Sequence, residues 1–542
     1  MLYKTIIEGS YNYYRYDVSA NEPLIGGTGS GEGIIAPIDF SYNKVKFGIN
    51  RNNGIKDIYN SWYASAALKN DGSVVAWGQI YAGGKAGCVY SSTSTTDNSS
   101  ALTSGVKWIC PNLYAFAALK EDGSVVAWGS DISGGDVTNS ATSGSDVSSY
   151  LTSGVVGIFA TFYAFAALKD DGSVYCWGAD GYGNVPGNEF LNGKKTISIT
   201  NTNFSFLALL EDGSLYAWGN NGVALIPSGN ILPSINNATH IFANSFAFAA
   251  LTSDNTIYTW GTIDGGTTNL NPGYGPPSSS YNSDNGFSWI EISGFAYDVS
   301  MIYTNGGVFA ALDSSGGIIV WGNKDWGGAQ SNYYLTGQPP STPGYTPNTP
   351  INSGAKNVYA NYSSIVALMD DNSLMTWGFA QGGGGNQIYF LSGSIDINLN
   401  PDDVANYFST VSPIIYINFP TDVSAVYSNT WSYAALTNDG AVVTWGRAEW
   451  GGYPAAFDSN NNYIQGTEVI NDISSGVVKI FSTPLAYAAL KDDGTVVTWG
   501  QISLGGQSTV WYSDTSSNDV SNDLTDIVNI YPFYSTVFNP YA

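Results

Sequence analysis

The sequence predicts an all-β protein, a β-propeller built from nine hairpin repeats, on three observations. A Trp-Gly pair recurs at Trp77, Trp128, Trp177, Trp218, Trp260, Trp321, Trp377, Trp445 and Trp499, and a leucine stands nine positions before each tryptophan. Between the two, one turn position holds only Gly or Asn: Gly72, Gly123, Gly172, Gly213, Asn255, Gly316, Asn372, Gly440 and Gly494. The segments on either side of that turn are apolar on both of their faces.

Each observation has a physical reading. Gly and Asn tolerate the positive φ that tight hairpin turns need. In "YAFAAL", Tyr114, Phe116 and Ala118 point one way while Ala115, Ala117 and Leu119 point the other; in "SVVAWG", Val125 and Ala127 oppose Val126 and Trp128. A strand wet on one side alternates apolar with polar, so these strands need cover on both sides, which small sheets obtain by stacking face to face. Sheets stacked about an axis form a propeller, and a spacing of 41 to 68 residues between successive tryptophans suits one small antiparallel sheet per blade. A further strand is expected ahead of each hairpin, as in "GVVGIFATFYAFAAL". The tryptophans fill the gap between neighbouring blades and the paired alanines allow close approach. After most Trp-Gly pairs comes a second glycine pair, such as Gly83-Gly84, Gly134-Gly135 or Gly451-Gly452. None has phosphate-loop spacing or opens a helix, so these pairs read as turns.

"ALKEDGSVVAWG" (Ala118 to Gly129), its near copies and the glycine-rich turn that follows resemble the repeat of the regulator of chromosome condensation family over roughly residues 55 to 510. The resemblance implies a β-propeller. It also brings the functions of relatives: eukaryotic members include exchange factors for small GTPases, and a bacterial relative inhibits a β-lactamase by plugging its active site. Nine copies are more than the family usually carries, and Tyr, Phe or Ser stands where its members often have a His opening the Ala-Leu strand.

The two ends suggest how the ring closes. "DIVNIYPFYSTVFNP" (Asp526 to Pro540) begins a repeat without its turn and tryptophan, and "SYNKVKFGIN" (Ser41 to Asn50) reads as a worn last strand with Phe47-Gly48 for Trp-Gly. Their pairing would close nine or ten blades and remove exposed sheet edges. Exchange of the same strands between molecules would instead build a polymer. The expected organisation is a Tyr/Gly-rich arm over 1–36, holding Tyr11, Tyr13, Tyr14 and Tyr16, and a single propeller over 37–542 with long insertions at 262–300, 323–353, 379–420 and 447–476.

Composition narrows the chemistry. The net charge is −25 on a chain only 11% charged, with no run of Lys and Arg. Neither nucleic acid nor an anionic membrane fits such a surface, no window is long and apolar enough for membrane insertion, and the first residues lack the apolar stretch of a Sec signal. Cys88, Cys110 and Cys176 have neither disulfide-framework nor metal spacing, and Cys176 replaces a core alanine of other copies. His240, the sole histidine, lies in "NNATHIFANSF" and reads as structural, so no triad can be assembled around it. The pairs Asp170-Asp171, Asp370-Asp371 and Asp492-Asp493 fall in hairpin turns, where Asp bonds the local backbone. "DSNNNYIQGTE" (Asp458 to Glu468) faintly echoes a calcium loop through Asp458, Asn460 and Asn462, but Tyr463 stands where that loop needs Gly. No catalytic residue, cofactor or metal site is expected.

The variable connections carry Tyr, Asn, Ser, Gly and Pro, a mixture suited to rigid aromatic contacts among adaptable polar ones. Tyr274, Tyr333, Tyr334, Tyr345, Tyr453 and Tyr463 are the candidate contact residues. The expectation is a non-enzymatic scaffold for protein binding or self-association, a structural or adhesion component exposed on a virus, phage or cell, extracellular or on a virion surface. A partner-regulating propeller of the exchange-factor or inhibitor type, and a glycan-binding lectin-like propeller, are the alternatives.

Overall fold

A tight turn at the centre of each repeat, Asp-Gly in six of the nine, closes a two-stranded ribbon, and the ribbon pairs with the segment before it to give a three-stranded antiparallel sheet. In the third repeat Val155–Ala160, Ala164–Lys169 and Val174–Gly178 lie in that order. The same first–middle–last order holds in all nine repeats of this computed structural model. The structure describes residues 6–9, 12–17, 22–26, 55–61, 63–91, 95–139, 142, 144–184, 193–220, 235–261, 279–284, 287–292, 298–322, 353–379, 382–384, 387–389, 414–416, 419–457, 469–483, 485–493, 495–501, 509–511 and 517–519. Among these there is strand and short 3-10 turn but no α-helix. The chain divides into two units: the repeats of Trp77 to Trp260 fall in the first, those of Trp321 to Trp499 in the second.

The hairpin glycines take the positive φ the sequence called for, from +75 at Gly72 to +84 at Gly440, and Asn255 and Asn372 take +65. The carboxylate beside them works locally: Asp122 Oδ1 accepts from the Ser124 N–H at 2.9 Å and from its hydroxyl at 2.6 Å. Asp71, Asp171 and Asp371 bond the serine two residues on in the same way, and Asp493 bonds Thr495. The turn's carbonyl then reaches the next repeat. Val106, Val155 and Thr196 donate their N–H groups to Gly72, Gly123 and Gly172 at 2.9 to 3.0 Å, and in the second unit Val423 and Val477 donate to Asn372 and Gly440. Gly494 lies outside the described residues.

The tryptophans join successive sheets. Phe116 lies opposite Trp128 across the hairpin, their rings stacked at 5.1 Å. Trp128 Nε1 donates 3.0 Å to the carbonyl of Gly83, which belongs to the connection after the preceding repeat. The bond recurs from Trp177 to Gly134, Trp218 to Gly183, Trp445 to Gly383 and Trp499 to Gly451, at 2.9 to 3.1 Å. Gly134 has φ +91, and a Cβ there would sit 2.6 Å from the Phe165 ring. The next repeat's aromatic pair occupies the space a side chain would need, which explains the second glycine pair of the sequence. Trp128, Trp177, Trp218, Trp260, Trp321, Trp445 and Trp499 are fully buried, whereas Trp377 is half-buried, so the expectation of a uniformly buried row is corrected there. Trp77 lies in the last strand of the first repeat, Val74–Gly78.

Two-sided burial holds along the middle strands: Ala115–Leu119 and Ala164–Leu168 are buried at every position. Rings and aliphatic side chains of consecutive sheets, among them Ile109, Phe116, Trp128, Ile158, Phe165 and Trp177, form one continuous core. Cys88, Cys110 and Cys176 are buried free thiols, and burial pushes the Cys176 thiol up to about 12.

The sequence did not foretell a fourth strand. Cys88–Tyr90, from the connection leaving the first repeat, pairs in parallel with Val125–Ser130, the last strand of the second. Gln387–Tyr389 and Ala456–Phe457 make the same parallel addition to the eighth and ninth repeats. Val89, Ile388 and Ala456 each stand opposite the glycine of a Trp-Gly pair. The insertion at 262–300 contributes the hairpin Ser279–Asp284 and Phe287–Ile292 to the fifth sheet. The segments Ser41 to Asn50 and Asp526 to Pro540, on which ring closure depends, lie outside the described residues.

Replacing Trp177 by Phe removes the donor and leaves the Gly134 carbonyl unbonded, so urea unfolding should show a loss of about 1–3 kcal/mol. Gly134→Ala combines a positive φ with ring overlap and should cost about 2–4 kcal/mol in the same measurement. The turn aspartates also set an acid limit. Serine or threonine hydroxyls hold the carboxyls of Asp71, Asp122, Asp171, Asp371 and Asp493 below their ordinary value, and Lys194 with Ser214 holds Asp212 down to about 2. Folded values below unfolded ones contribute stability that is complete above about pH 4 and is lost as pH falls through the folded values. The melting temperature should therefore hold level from neutrality to about pH 5 and fall below about pH 4. Asp122→Asn, which accepts the same bonds without titrating, should weaken that fall.

Candidate functional site

The turn between first and middle strand builds the most distinctive surface. Asn112 Oδ1 accepts from the N–H groups of Tyr114 and Ala115 at 3.0 and 2.8 Å, while its Nδ2 donates to the Ser133 carbonyl at 2.7 Å. Ser61, Thr161, Thr202 and Asn244 accept from the residue three positions on in their own repeats. The turns are then tied to one another, Leu113 N–H to Phe162 O, Phe162 N–H to Asn203 O and Asn203 N–H to Ser245 O, at 2.9 to 3.2 Å. These bonds fix the spacing of whatever side chain precedes each middle strand.

In the first unit that side chain is always aromatic: Tyr63, Tyr114, Tyr163, Phe204 and Phe246. Tyr63 lies 6.0 Å from Tyr114, Tyr114 lies 5.9 Å from Tyr163, and Phe204 lies 6.3 Å from Phe246, all with nearly parallel rings. Phe162 bridges Tyr163 and Phe204. Tyr81, Tyr90 and Tyr182 flank the row. Tyr63, Tyr81 and Tyr90 are exposed and the others half-buried, so the row is a continuous, solvent-facing aromatic strip. Partial burial, then the neighbouring phenols, raises the hydroxyl pKa of Tyr114 and Tyr163, which keeps both as neutral donors.

By its alternation alone, the sequence puts Tyr114 inside a strand buried on both faces. The strand begins at Ala115, because Asn112 captures the N–H of Tyr114 in the turn, and the ring stands at the surface. The row is written in the sequence as an aromatic two positions after Ser61, Asn112, Thr161, Thr202 and Asn244. What hid it was the reading of that residue as the first of the strand. Tyr453, proposed as a surface contact, is buried beside the 3-10 turn Ala448–Trp450, whose carbonyl at Ala448 receives its N–H. Tyr274, Tyr333, Tyr334, Tyr345 and Tyr463 lie outside the described residues, as does the segment Asp458 to Glu468.

Among the described residues, the aspartates and the histidine singled out in the sequence have local partners. The hairpin aspartates bond their own turns. His240, in Ala238–Ala243, meets Thr239 Oγ1 at 3.1 Å. Among the described residues no three His, Cys, Asp or Glu side chains come together as a metal site, and no helix is long and apolar enough to cross a membrane.

Three-stranded sheets stacked through Trp-Gly contacts, with a solvent-facing aromatic row at their turns, define a β-propeller repeat protein. Residues 155–184, in the third repeat, match the family model described as Regulator of chromosome condensation (RCC1) repeat. No curated protein matches the sequence. Among solved structures, Prp20p from Saccharomyces cerevisiae, studied for its binding to Gsp1p and histones, is similar at 18% identity with a TM-score of 0.33, over 58% of this chain and 74% of that one. Human WBSCR16 is similar at 14% identity and TM-score 0.31, over 49% and 76%. The CRINKLY WD40 ectodomain of the Arabidopsis thaliana receptor kinase ACR4 is similar at 13% identity and TM-score 0.28, over 62% and 93%.

Asn112→Ala strips partners from two N–H groups and a carbonyl and should cost about 1–3 kcal/mol in urea unfolding. It should also change the near-ultraviolet circular dichroism of the tyrosines, because the Tyr63–Tyr114–Tyr163 spacing depends on that turn.

Proposed function

We propose that the chain is a non-enzymatic scaffold that docks a protein partner, or a second copy of itself, on the aromatic row of the first unit. The row itself supports this reading. Tyrosine offers a large apolar face with a polar handle and loses little conformational freedom on binding, which is why it is enriched at the centres of protein interfaces. Here its rings are held in place beforehand by backbone bonds between repeats, so little ordering remains to be done on association. The acidic, lysine-poor composition and the absence of a basic run fit a structural or adhesion component exposed at the surface of a particle or cell, extracellular or on a virion.

A photo-crosslinking residue at Tyr81 or Tyr90 tests the proposal. It should yield one discrete protein adduct, heterologous or self, that is lost when Tyr63, Tyr114 and Tyr163 are changed together to Ser, while the melting temperature stays within a few degrees. The same residue at Val478, exposed on the second unit, should yield none. Adducts equally abundant at Val478, or unaffected by the triple change, would count against the row. Retention on a glycan array that the triple change abolishes, without a protein adduct, would favour a lectin-like role instead.

A further inference from the structure

At one end of the row a connection brings a further phenol among three others. Tyr81 stands in the 3-10 turn Ile80–Ala82, which leaves the first repeat, and Tyr90 ends the added strand Cys88–Tyr90. Centre to centre, the Tyr81 ring lies 5.9 Å from Tyr63, 6.4 Å from Tyr90 and 6.3 Å from Tyr114. Tyr63 and Tyr114 are themselves 6.0 Å apart, so three rings form a triangle and the fourth adjoins one corner.

Backbone bonds hold the four in place. Gln79, just before the Tyr81 turn, donates its N–H to the Tyr63 carbonyl at 2.9 Å, and the Gly84 N–H closes the same turn on Gln79 at 2.8 Å. Tyr90 pairs with Ser130, whose N–H donates to the Tyr114 carbonyl at 2.9 Å. The cluster therefore forms with the fold and does not rest on the rings alone.

Two features make these phenols open to oxidation. Tyr63, Tyr81 and Tyr90 are 45%, 38% and 40% exposed. Sulfur, a common sink for oxidants, is placed elsewhere: Cys88, Cys110 and Cys176 are buried, and Met301, Met369 and Met375 belong to the second unit. The rings are also inclined to one another, Tyr81 by 57° to Tyr63, so neither lies flat on its neighbour. Tyr150 and Tyr175 make the contrasting pair, face to face at 4.3 Å and 15°. At about 6 Å between centres, carbons on facing ring edges are close to van der Waals contact, and rotation about χ1 and χ2 brings them together.

We infer that Tyr63 and Tyr81 form an oxidative coupling site, at which a one-electron oxidant of the peroxidase and hydrogen peroxide class joins the two rings as dityrosine. Each phenol gives up one electron and its hydroxyl proton. The two phenoxyl radicals form a carbon–carbon bond between positions ortho to oxygen, and the two displaced ring hydrogens return to the oxygens through solvent. One hydrogen peroxide takes up the two electrons and two protons and leaves as two waters. The bond ties the first repeat to the connection whose Gly83 carbonyl accepts from Trp128, and so reinforces the seam between the first two sheets. No docked partner takes part, so the site stands apart from the role given to the row.

The whole chain, kept dilute and treated with a haem peroxidase and hydrogen peroxide, provides the test. A product that runs as monomer, has lost two hydrogen atoms and shows the blue fluorescence of dityrosine is expected, and proteolysis should release one dominant cross-linked peptide pair joining Tyr63 to Tyr81. Tyr81→Phe and Tyr63→Phe keep the ring packing without the phenol, and each should reduce the monomer fluorescence severalfold. Tyr150→Phe should leave it unchanged, although Tyr150 is 47% exposed. A dominant link at Tyr90 or Tyr150, undiminished fluorescence in Tyr81→Phe, or coupling only between chains would overturn the assignment.

Discussion

The contact on which the rest depends is the one between a tryptophan and a glycine of the repeat before it. Trp128, Trp177, Trp218, Trp445 and Trp499 each send an indole N–H to a glycine carbonyl in the preceding connection. Each of those bonds requires a backbone with no side chain in the way. The polar edge of a large apolar ring would otherwise be a buried donor without a partner, at a cost of the same order as the bond itself. Stacking on Phe116, Phe165 or Tyr433 then sets the depth of the ring. A short sequence signature thus specifies the inside of one sheet and its distance from the next.

The polar side chains follow from the same economy of space. Asp and Ser close the hairpin turn, Asn or Thr closes the other turn, and the carbonyls freed by those turns accept N–H groups from the neighbouring repeat. What does face solvent is the residue that each turn carries outward, and across the first unit that residue is an aromatic ring.

Much of this architecture was legible because it is written in positions that admit few residues. A turn restricted to Gly or Asn declares its φ, and the strands around Leu119 and Leu168 declare burial on both faces. The meaning of the second glycine pair was not legible: Gly83 and Gly134 read as turns, and only the approach of Phe116 and Phe165 shows why they lack side chains. The aromatic row was missed because periodicity alone does not say whether Tyr114 begins a strand or ends a turn, a choice made by the Asn112 side chain two residues earlier. Tyr453 was misjudged for the opposite reason, since a loop-like composition conceals a residue folded under its own 3-10 turn.

The parallel strand added to the second, eighth and ninth sheets gives the chain a phase offset between its repeats and its folded layers. Cys88–Tyr90 is spelled out after one Trp-Gly but finishes the sheet that contains the next. A layer is consequently sealed by a polypeptide belonging, in sequence, to its predecessor. Duplicating or deleting a segment from one Trp-Gly to the following one keeps donor and recipient in step, whereas cutting between a middle strand and its turn leaves one layer unfinished.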